Sequence, residues 1–142
     1  MREMLFRGKE KHTQNWVYGF LTKWGDDFII DYLDEADGLW TISQPIIPET
    51  IGQYTGCCDK NGNKIFEGDI VCIRYQSGKI CYIYDIQLDC DIFGAERTHH
   101  KNTKSLVVGF GQLHNLQRLD DDVITMIEVI GNIHDNLELL ED

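Results

Sequence analysis

Short runs of aromatic and β-branched residues, separated by polar turn-forming residues, recur along most of the chain. Runs of this length and composition predict β-strands rather than helices. Gly19 lies inside the second run, which indicates a bulge or the close approach of another backbone. The first four runs form a predicted N-terminal strand meander, at residues 4–9, 16–21, 28–33 and 39–42.

The segment after the meander is held extended by proline. Pro45 and Pro48 bracket Ile46 and Ile47. A proline fixes its own φ angle and disfavours helix for the residue before it. We therefore expect this segment to be an edge strand or a connector.

The residues most typical of turns are concentrated in the middle of the chain. Asn61-Gly62 sits between two strand-forming runs, and such a pair supplies the two positive φ angles of a tight hairpin turn. Gly68 provides the permissive position of a second turn, which Asp69 is predicted to hold as a side-chain cap. Residues 70–73 then predict a central strand, and residues 79–84 a return strand.

The last third of the chain is less regular. Residues 85–118 form a predicted variable region, in which residues 106–111 have strand-like composition. Residues 123–133 predict one long strand with a bend or bulge at Gly131-Asn132. Residues 135–140 predict a capped final helical turn.

Length and composition bound the class of protein. A chain of 142 residues with 42% apolar residues fits a single domain over residues 1–142, since roughly two-thirds of the unfolded surface can be buried at this size. No apolar run reaches the ~18 residues needed to cross a membrane, and the polar N-terminus lacks the features of a signal peptide. Five cysteines fit a reduced compartment better than a disulfide framework. We expect a cytoplasmic protein.

The charge of the chain is strongly negative and unevenly distributed. A net charge of -11 disfavours general binding to nucleic-acid phosphates, which depends on Lys and Arg. Residues 1–23 are nevertheless rich in Lys and Arg, whereas residues 26–37 carry acidic side chains and no basic one. A basic edge and an acidic edge on one small domain are suited to docking between subunits.

The sequence gives little support for a metal site or a redox site. The cysteines include no Cys-x-x-Cys pair and no histidine at a typical zinc spacing. Small core residues are the simpler interpretation of Cys72 and Cys81, and an inert turn that of Cys57-Cys58, although two adjacent thiols can be redox-sensitive. His99-His100 with Cys90, and the acidic run 120–122, are better explained as an exposed loop and a solvated turn than as metal ligands. We predict no metal and no cofactor.

Catalytic motifs are missing from the sequence. Glu67 and Asp69 flank Gly68 and could serve as a pair of catalytic carboxylates, but maintenance of the turn is favoured. No phosphate-binding glycine loop, Gly-x-Ser-x-Gly elbow or zinc-protease motif is present. We predict that the chain is not an enzyme and has no catalytic residues.

Aromatic residues are concentrated in the first third of the chain. The default interpretation is that they form the core. If several prove to be exposed on one face, that face becomes a candidate interface, because aromatic residues are enriched where partners bury surface. The residues concerned are Trp16, Tyr18, Phe20, Trp24, Phe28, Tyr32 and Trp40.

Three blocks of the sequence resemble one family. The run ETIGQYTGCCDKNGNKIFEGDIV, at residues 49–71, is similar to the central signature of the YopX family of phage and prophage proteins, apart from Cys57-Cys58. Residues 4–9 with 16–21, and residues 128–136, agree with the same family. The resemblance implies a small phage-encoded protein that self-associates and whose biochemical activity is unassigned. It supplies no catalytic or binding residues.

These observations lead to one fold and two functional hypotheses. We expect an α+β, mainly β domain, with a small SH3-like barrel around residues 50–84 and the last strand, the N-terminal meander and little helix. The first hypothesis is a self-associating protein-interaction module, a homo-oligomer that could also bind a host or phage protein. The alternative is a nucleic-acid-linked role, through direct contact or through acidic imitation of DNA.

Overall fold

The computed structural model describes residues 5–33, 41–74, 81–88, 105–108 and 127–141. These residues form strands and two short 3₁₀-helices, so the prediction of a mainly β chain with little helix is confirmed. No helix in the described ranges is long and apolar enough to cross a membrane. The strands are β1 Phe6–Lys9, β2 Trp16–Trp24, β3 Asp27–Leu33, β4 Thr41–Ile46, β5 Gly52–Cys58, β6 Lys64–Phe66, β7 Asp69–Arg74, β8 Cys81–Leu88, β9 Ser105–Val108 and β10 Ile127–Asn132, and the helices are η1 Pro48–Thr50 and η2 Leu137–Leu140.

The chain divides into two compact units, Met1–Tyr54 and Thr55–Asp142, which are described separately. A single domain over residues 1–142 stays a prediction. In the first unit the strand order is β4-β3-β2-β1, with the start of β5 beside β1. The first half of β2 pairs with β1 and its second half with β3, both in antiparallel register. The predicted N-terminal meander is therefore confirmed.

The core of the first unit lies where β1, β3 and β4 approach one another. Ile30 and Ile46 are fully buried. A Cβ added to Gly8 would overlap the Cγ2 atom of Ile46, and one added to Gly19 would overlap the backbone carbonyl of Asp31. The close backbone approach predicted at Gly19 is thus present, between β2 and β3.

The second unit contains the β5–β6 hairpin and a sheet of order β10-β7-β8-β9. Strand β7 is internal, as predicted, and pairs antiparallel with both neighbours, whereas β9 runs parallel to β8. A register shift between Val129 and Gly131 supplies the irregularity predicted for the last strand. The core of this unit consists of Cys57, Ile65, Val71, Ile73, Ile86, Leu88 and Ile127.

The hairpin turn differs in detail from its prediction. Gly62 has a φ of 84°, but Asn61 is not among the residues with positive φ, so the turn is not the two-residue type that an Asn-Gly pair favours. The Asp59 side chain instead organises a longer turn, because its Oδ1 accepts hydrogen bonds from the backbone N–H groups of Asn61 and Asn63, both at 2.9 Å. The second turn matches its prediction: Gly68 has a φ of 90°, and Asp69 Oδ2 accepts from the backbone N–H of Phe66 at 2.7 Å.

Two further predictions need correction. Cys72 is buried, as expected for a core residue. It takes part in a disulfide, whereas the sequence predicted that the cysteines are reduced. Asn136 precedes η2 without a side-chain capping bond, and its Oδ1 accepts from the backbone N–H of Asn132 at 3.2 Å instead. Neither sheet closes on itself within the described residues, and the small SH3-like barrel stays a prediction, since β5 and β6 pair with each other while β7 and β8 belong to the sheet of β10.

Candidate functional site

An exposed row of aromatic side chains runs along β2 in the first unit. Tyr18, Phe20 and Trp24 lie on one face of this strand, because they occupy alternate positions. Their exposed fractions are 47%, 67% and 72%. We call these three residues the aromatic stripe. Neighbouring members such as Tyr18 and Phe20 are about 7 Å apart along the strand.

The stripe has an acidic end. Strand register places Asp31 opposite Phe20 and Asp27 opposite Trp24. Lys11 Nζ lies 3.2 Å from Asp27 Oδ1, so this end carries two carboxylates and one ammonium group. The stripe is therefore bordered by excess negative charge where β2 ends.

The other end of the stripe is basic. Register places Arg7 opposite Tyr18 and Lys9 opposite Trp16. The Arg7 guanidinium carbon lies 4.6 Å, and Lys9 Nζ 5.5 Å, from the centroid of the Trp16 ring. Both distances are within the range of cation–π attraction. Opposite charges thus border the two ends of one exposed apolar row.

A cleft of about 590 Å³ lies beside the start of β2, also in the first unit. The loop at residues 10–15, β2, β3 and β4 all contribute to its walls, which combine aromatic and polar side chains. Trp16 and Tyr32 line both this cleft and a neighbouring pocket of about 270 Å³. Gln44 Nε2 donates to the Tyr32 hydroxyl at 3.0 Å and so fixes the position of that hydroxyl in the wall.

Glu10 shapes the loop at the rim of the cleft. Its Oε2 accepts from the backbone N–H of Thr13 at 2.7 Å, from the Thr13 hydroxyl at 2.9 Å and from the backbone N–H of His12 at 3.0 Å. The hydrogen bond from the Thr13 N–H is the main reason that the pKa of Glu10 lies below its ordinary value of 4.5, since burial of the carboxyl acts in the opposite direction. Glu10 is therefore a carboxylate at neutral pH.

The described ranges include only some of the residues that the sequence suggested as catalytic, redox or metal-binding candidates. Glu67 and Asp69 are both buried, and Asp69 holds its turn as predicted. Cys57 is buried and Cys58 exposed, and neither belongs to a disulfide. No group of three or more potential metal ligands occurs in the part of the chain that the structure describes. The remaining candidates, Cys90, His99, His100 and residues 120–122, lie outside the described residues.

The aromatic residues divide between interior and surface. Phe28 and Tyr32 are half-buried, as is Trp16, whereas the stripe faces solvent. The condition set for an interface candidate, several aromatic residues exposed on one face, is therefore met. Trp40 lies outside the described residues. The cleft was not predicted, because the polar residues 10–15 have the composition of an ordinary loop and nothing in them indicates proximity to β3 and β4.

The model of the YopX family, described as YopX protein, matches residues 5–141. The chain belongs to the YopX family. No curated protein matches it.

The turns of the second unit account for part of this YopX signature. Within the DKNG block, Asp59 provides the hydrogen-bonding carboxylate and Gly62 the positive φ angle. Within the EGD block, Gly68 has positive φ and Asp69 holds the turn. Backbone geometry therefore accounts for these residues of the two blocks.

Proposed function

We propose that this YopX-family chain is a non-enzymatic, self-associating protein-interaction module. The proposal includes its role as a phage or prophage accessory protein in the cytoplasm of a bacterial host, and an SH3-like arrangement of the strands. The observation that supports self-association is the aromatic stripe. Phe20 and Trp24 are each about two-thirds exposed or more, which is unusual for such large apolar side chains unless a partner covers them.

The energetics make a second copy a reasonable partner. A fully buried aromatic side chain removes roughly 150–250 Å² from water. Phe20 and Trp24 are 67% and 72% exposed, so at about 25 cal/mol per Å² two such residues from each of two copies contribute roughly 10–17 kcal/mol. That is comparable with the roughly 4–15 kcal/mol lost on association, so association depends on both Phe20 and Trp24.

The charges favour an isologous arrangement, in which both copies use the same surface. A two-fold axis that exchanges the ends of β2 brings Lys9 of one copy toward Asp31 of the other. The apolar stripe then lies between the two charged regions. Like-charged ends would face each other in the opposite orientation, which disfavours that orientation.

Solution mass tests this proposal. We expect a defined oligomer at micromolar concentration by size exclusion with multi-angle light scattering. The double variant Phe20→Ser/Trp24→Ser should be a folded monomer, whereas the control Leu137→Ser, which removes a side chain that is 57% exposed in the second unit, should keep the wild-type mass. A monomeric wild type would refute self-association.

One observation favours the nucleic-acid alternative. Tyr18 and Phe20, about 7 Å apart along β2, with Arg7 and Lys9 beside Trp16, could act as a stacking surface for single-stranded bases. Asp27 and Asp31 on the same face oppose it, as does the net charge of -11. Fluorescence anisotropy with a labelled single-stranded oligonucleotide at low salt tests direct contact. Binding that is lost in Phe20→Ser/Trp24→Ser would support this alternative over self-association, and DNA imitation would require capture of a host DNA-binding protein.

A further inference from the structure

The cleft beside β2 contains an acceptor that the loop does not use. Glu10 is 95% buried, with a relative exposure of 5%, and yet lines the cleft. Among the residues that the structure describes, all hydrogen bonds to its carboxylate end on Oε2, from the backbone N–H of His12 and from both donors of Thr13. The other oxygen, Oε1, therefore retains its capacity to accept a hydrogen bond. A carboxylate oxygen with this unused capacity, on a residue that lines the cleft, favours a ligand that donates to it.

The charges around the cleft select against ionic ligands. Arg7 and Lys9 lie within 4.6 and 5.5 Å of the Trp16 ring centroid, and they repel a cation placed against this ring. Glu10 is ionised, since its pKa is lowered, and it repels phosphate or carboxylate at the rim. A neutral ligand meets neither penalty.

The remaining groups specify the chemistry of that neutral ligand. Glu10 offers one oxygen, which suits a single O–H donor better than the paired N–H donors of a planar base. The Tyr32 hydroxyl accepts from Gln44 Nε2, so its own proton is available to a ligand oxygen. Trp16 supplies an apolar wall for a ring. The volume of about 590 Å³ is within the usual range of small-molecule sites, roughly 300–1,000 Å³.

We propose that this cleft binds a neutral saccharide. One sugar ring lies against Trp16, one of its hydroxyls donates to Glu10 Oε1, and another oxygen accepts from the Tyr32 hydroxyl. The site is separate from the residues whose removal tests self-association. It is a binding site, and no bond of the sugar is made or broken.

Saturation-transfer NMR on the full chain tests the site, with maltose, lactose and chitobiose as the three probes at millimolar concentration. We expect saturation transfer to at least one of them. Tyr32→Phe removes only the hydroxyl, and should raise the Kd of that saccharide by roughly 3- to 10-fold, as loss of one hydrogen bond predicts. The matched control Tyr82→Phe, in the second unit, should leave the Kd unchanged. Trp16→Ala should abolish transfer.

Three results would overturn the proposal. The first is no transfer to any of the three saccharides from the wild type. The second is transfer that is equally strong in Trp16→Ala and in the wild type. The third is a Kd that Tyr32→Phe and Tyr82→Phe alter equally. The mass of Tyr32→Phe in light scattering separates this site from the stripe, since we expect the variant to retain the wild-type oligomeric state whatever its affinity for sugar.

Discussion

At the scale of single residues, the Asp59 side chain joins parts of the second unit that are distant in sequence. Its Oδ1 accepts from two backbone N–H groups of its own turn, and its Oδ2 accepts from the backbone N–H of Val129 at 3.0 Å, 70 residues away in the chain. The backbone N–H of Lys60 adds a bond to the carbonyl of Ile127 at 2.9 Å. The turn thereby fixes β10 to the β5–β6 hairpin.

Replacing this carboxylate should cost stability. Asp59→Ala leaves the backbone N–H groups of Asn61, Asn63 and Val129 without the buried carboxylate that accepts from them, and we expect the free energy of unfolding to fall by about 2–4 kcal/mol. Urea denaturation followed by circular dichroism measures the change. Asp26→Ala, which removes a carboxyl from an exposed turn, should change stability by less than about 0.5 kcal/mol. A similar loss in the two variants would contradict the role given to Asp59.

The same residue predicts a dependence on pH. Burial raises the pKa of Asp59, but the hydrogen bonds from Val129, Asn63 and Asn61 outweigh it and hold the pKa below its ordinary value of 3.8. A lowered pKa in the folded state means that the stabilisation is complete above pH 3.8 and is lost as the pH falls through the folded value.

The expected result is a wild type that loses unfolding free energy on acidification faster than Asp59→Ala does. The difference between the two proteins should be constant near neutral pH and should shrink below about pH 4. Urea denaturation at a series of pH values gives this difference directly. A difference that stays constant down to about pH 3 would show that the Asp59 carboxylate is not the cause.

At the scale of elements, the first unit depends on the close approach of β2 and β3. A Cβ on Gly19 would overlap the backbone carbonyl of Asp31 and would lie 3.1 Å from Ile30 Cγ2. A carbonyl within a strand ladder cannot rotate away, so the two strands would have to separate. We expect Gly19→Ala to lower the free energy of unfolding by about 3 kcal/mol.

Gly62→Ala is the matched comparison for Gly19→Ala. Gly62 has a φ of 84° and open space around the position of a Cβ, so the substitution introduces backbone strain without overlap. Its expected cost is about 1 kcal/mol. Thermal unfolding of both variants measures the contrast. A larger loss in Gly62→Ala than in Gly19→Ala would exclude the steric account.

Most strands could be predicted because their composition and turn residues agree with their final environment. The approach at Gly19 and the turn at Asp69 were predictable for the same reason, since each depends on local chemistry. Asn61 was misjudged because the Asp59 side chain, with bonds extending to β10, determined the turn in place of the Asn-Gly pair. The parallel pairing of β9 with β8 depends on contacts distant in sequence, which no local pattern encodes.

At the scale of the whole molecule, the candidate surfaces were harder to predict than the strands. The sequence shows that the aromatic residues are concentrated in the first third of the chain. That Phe20 and Trp24 face solvent follows from the register of β2 with β1 and β3. The cleft joins Glu10 to Tyr32 and Gln44, which lie on separate elements. The sequence could therefore indicate which residue types form an interface. The fold was needed to show that these residues share one face and that the cleft exists.

The net charge of -11 leads to a final prediction about assembly. Two copies repel each other over long distances, and this repulsion weakens as the Debye length falls from about 30 Å at 0.01 M salt to about 10 Å at 0.1 M. Self-association through the stripe should therefore strengthen over that range. Burial of Phe20 and Trp24 is not weakened by salt, so association should change little at higher concentrations.

Sedimentation equilibrium at the two salt concentrations and at about 0.5 M measures this dependence, and Phe20→Ser/Trp24→Ser provides the control. The variant should remain monomeric throughout, because screening removes repulsion without supplying attraction. An oligomer that dissociates steadily as salt increases would show that contacts such as Lys9 with Asp31, rather than the aromatic residues, hold the copies together. The stripe would then only lie between the charged contacts, and burial of Phe20 and Trp24 would not be the source of the association free energy.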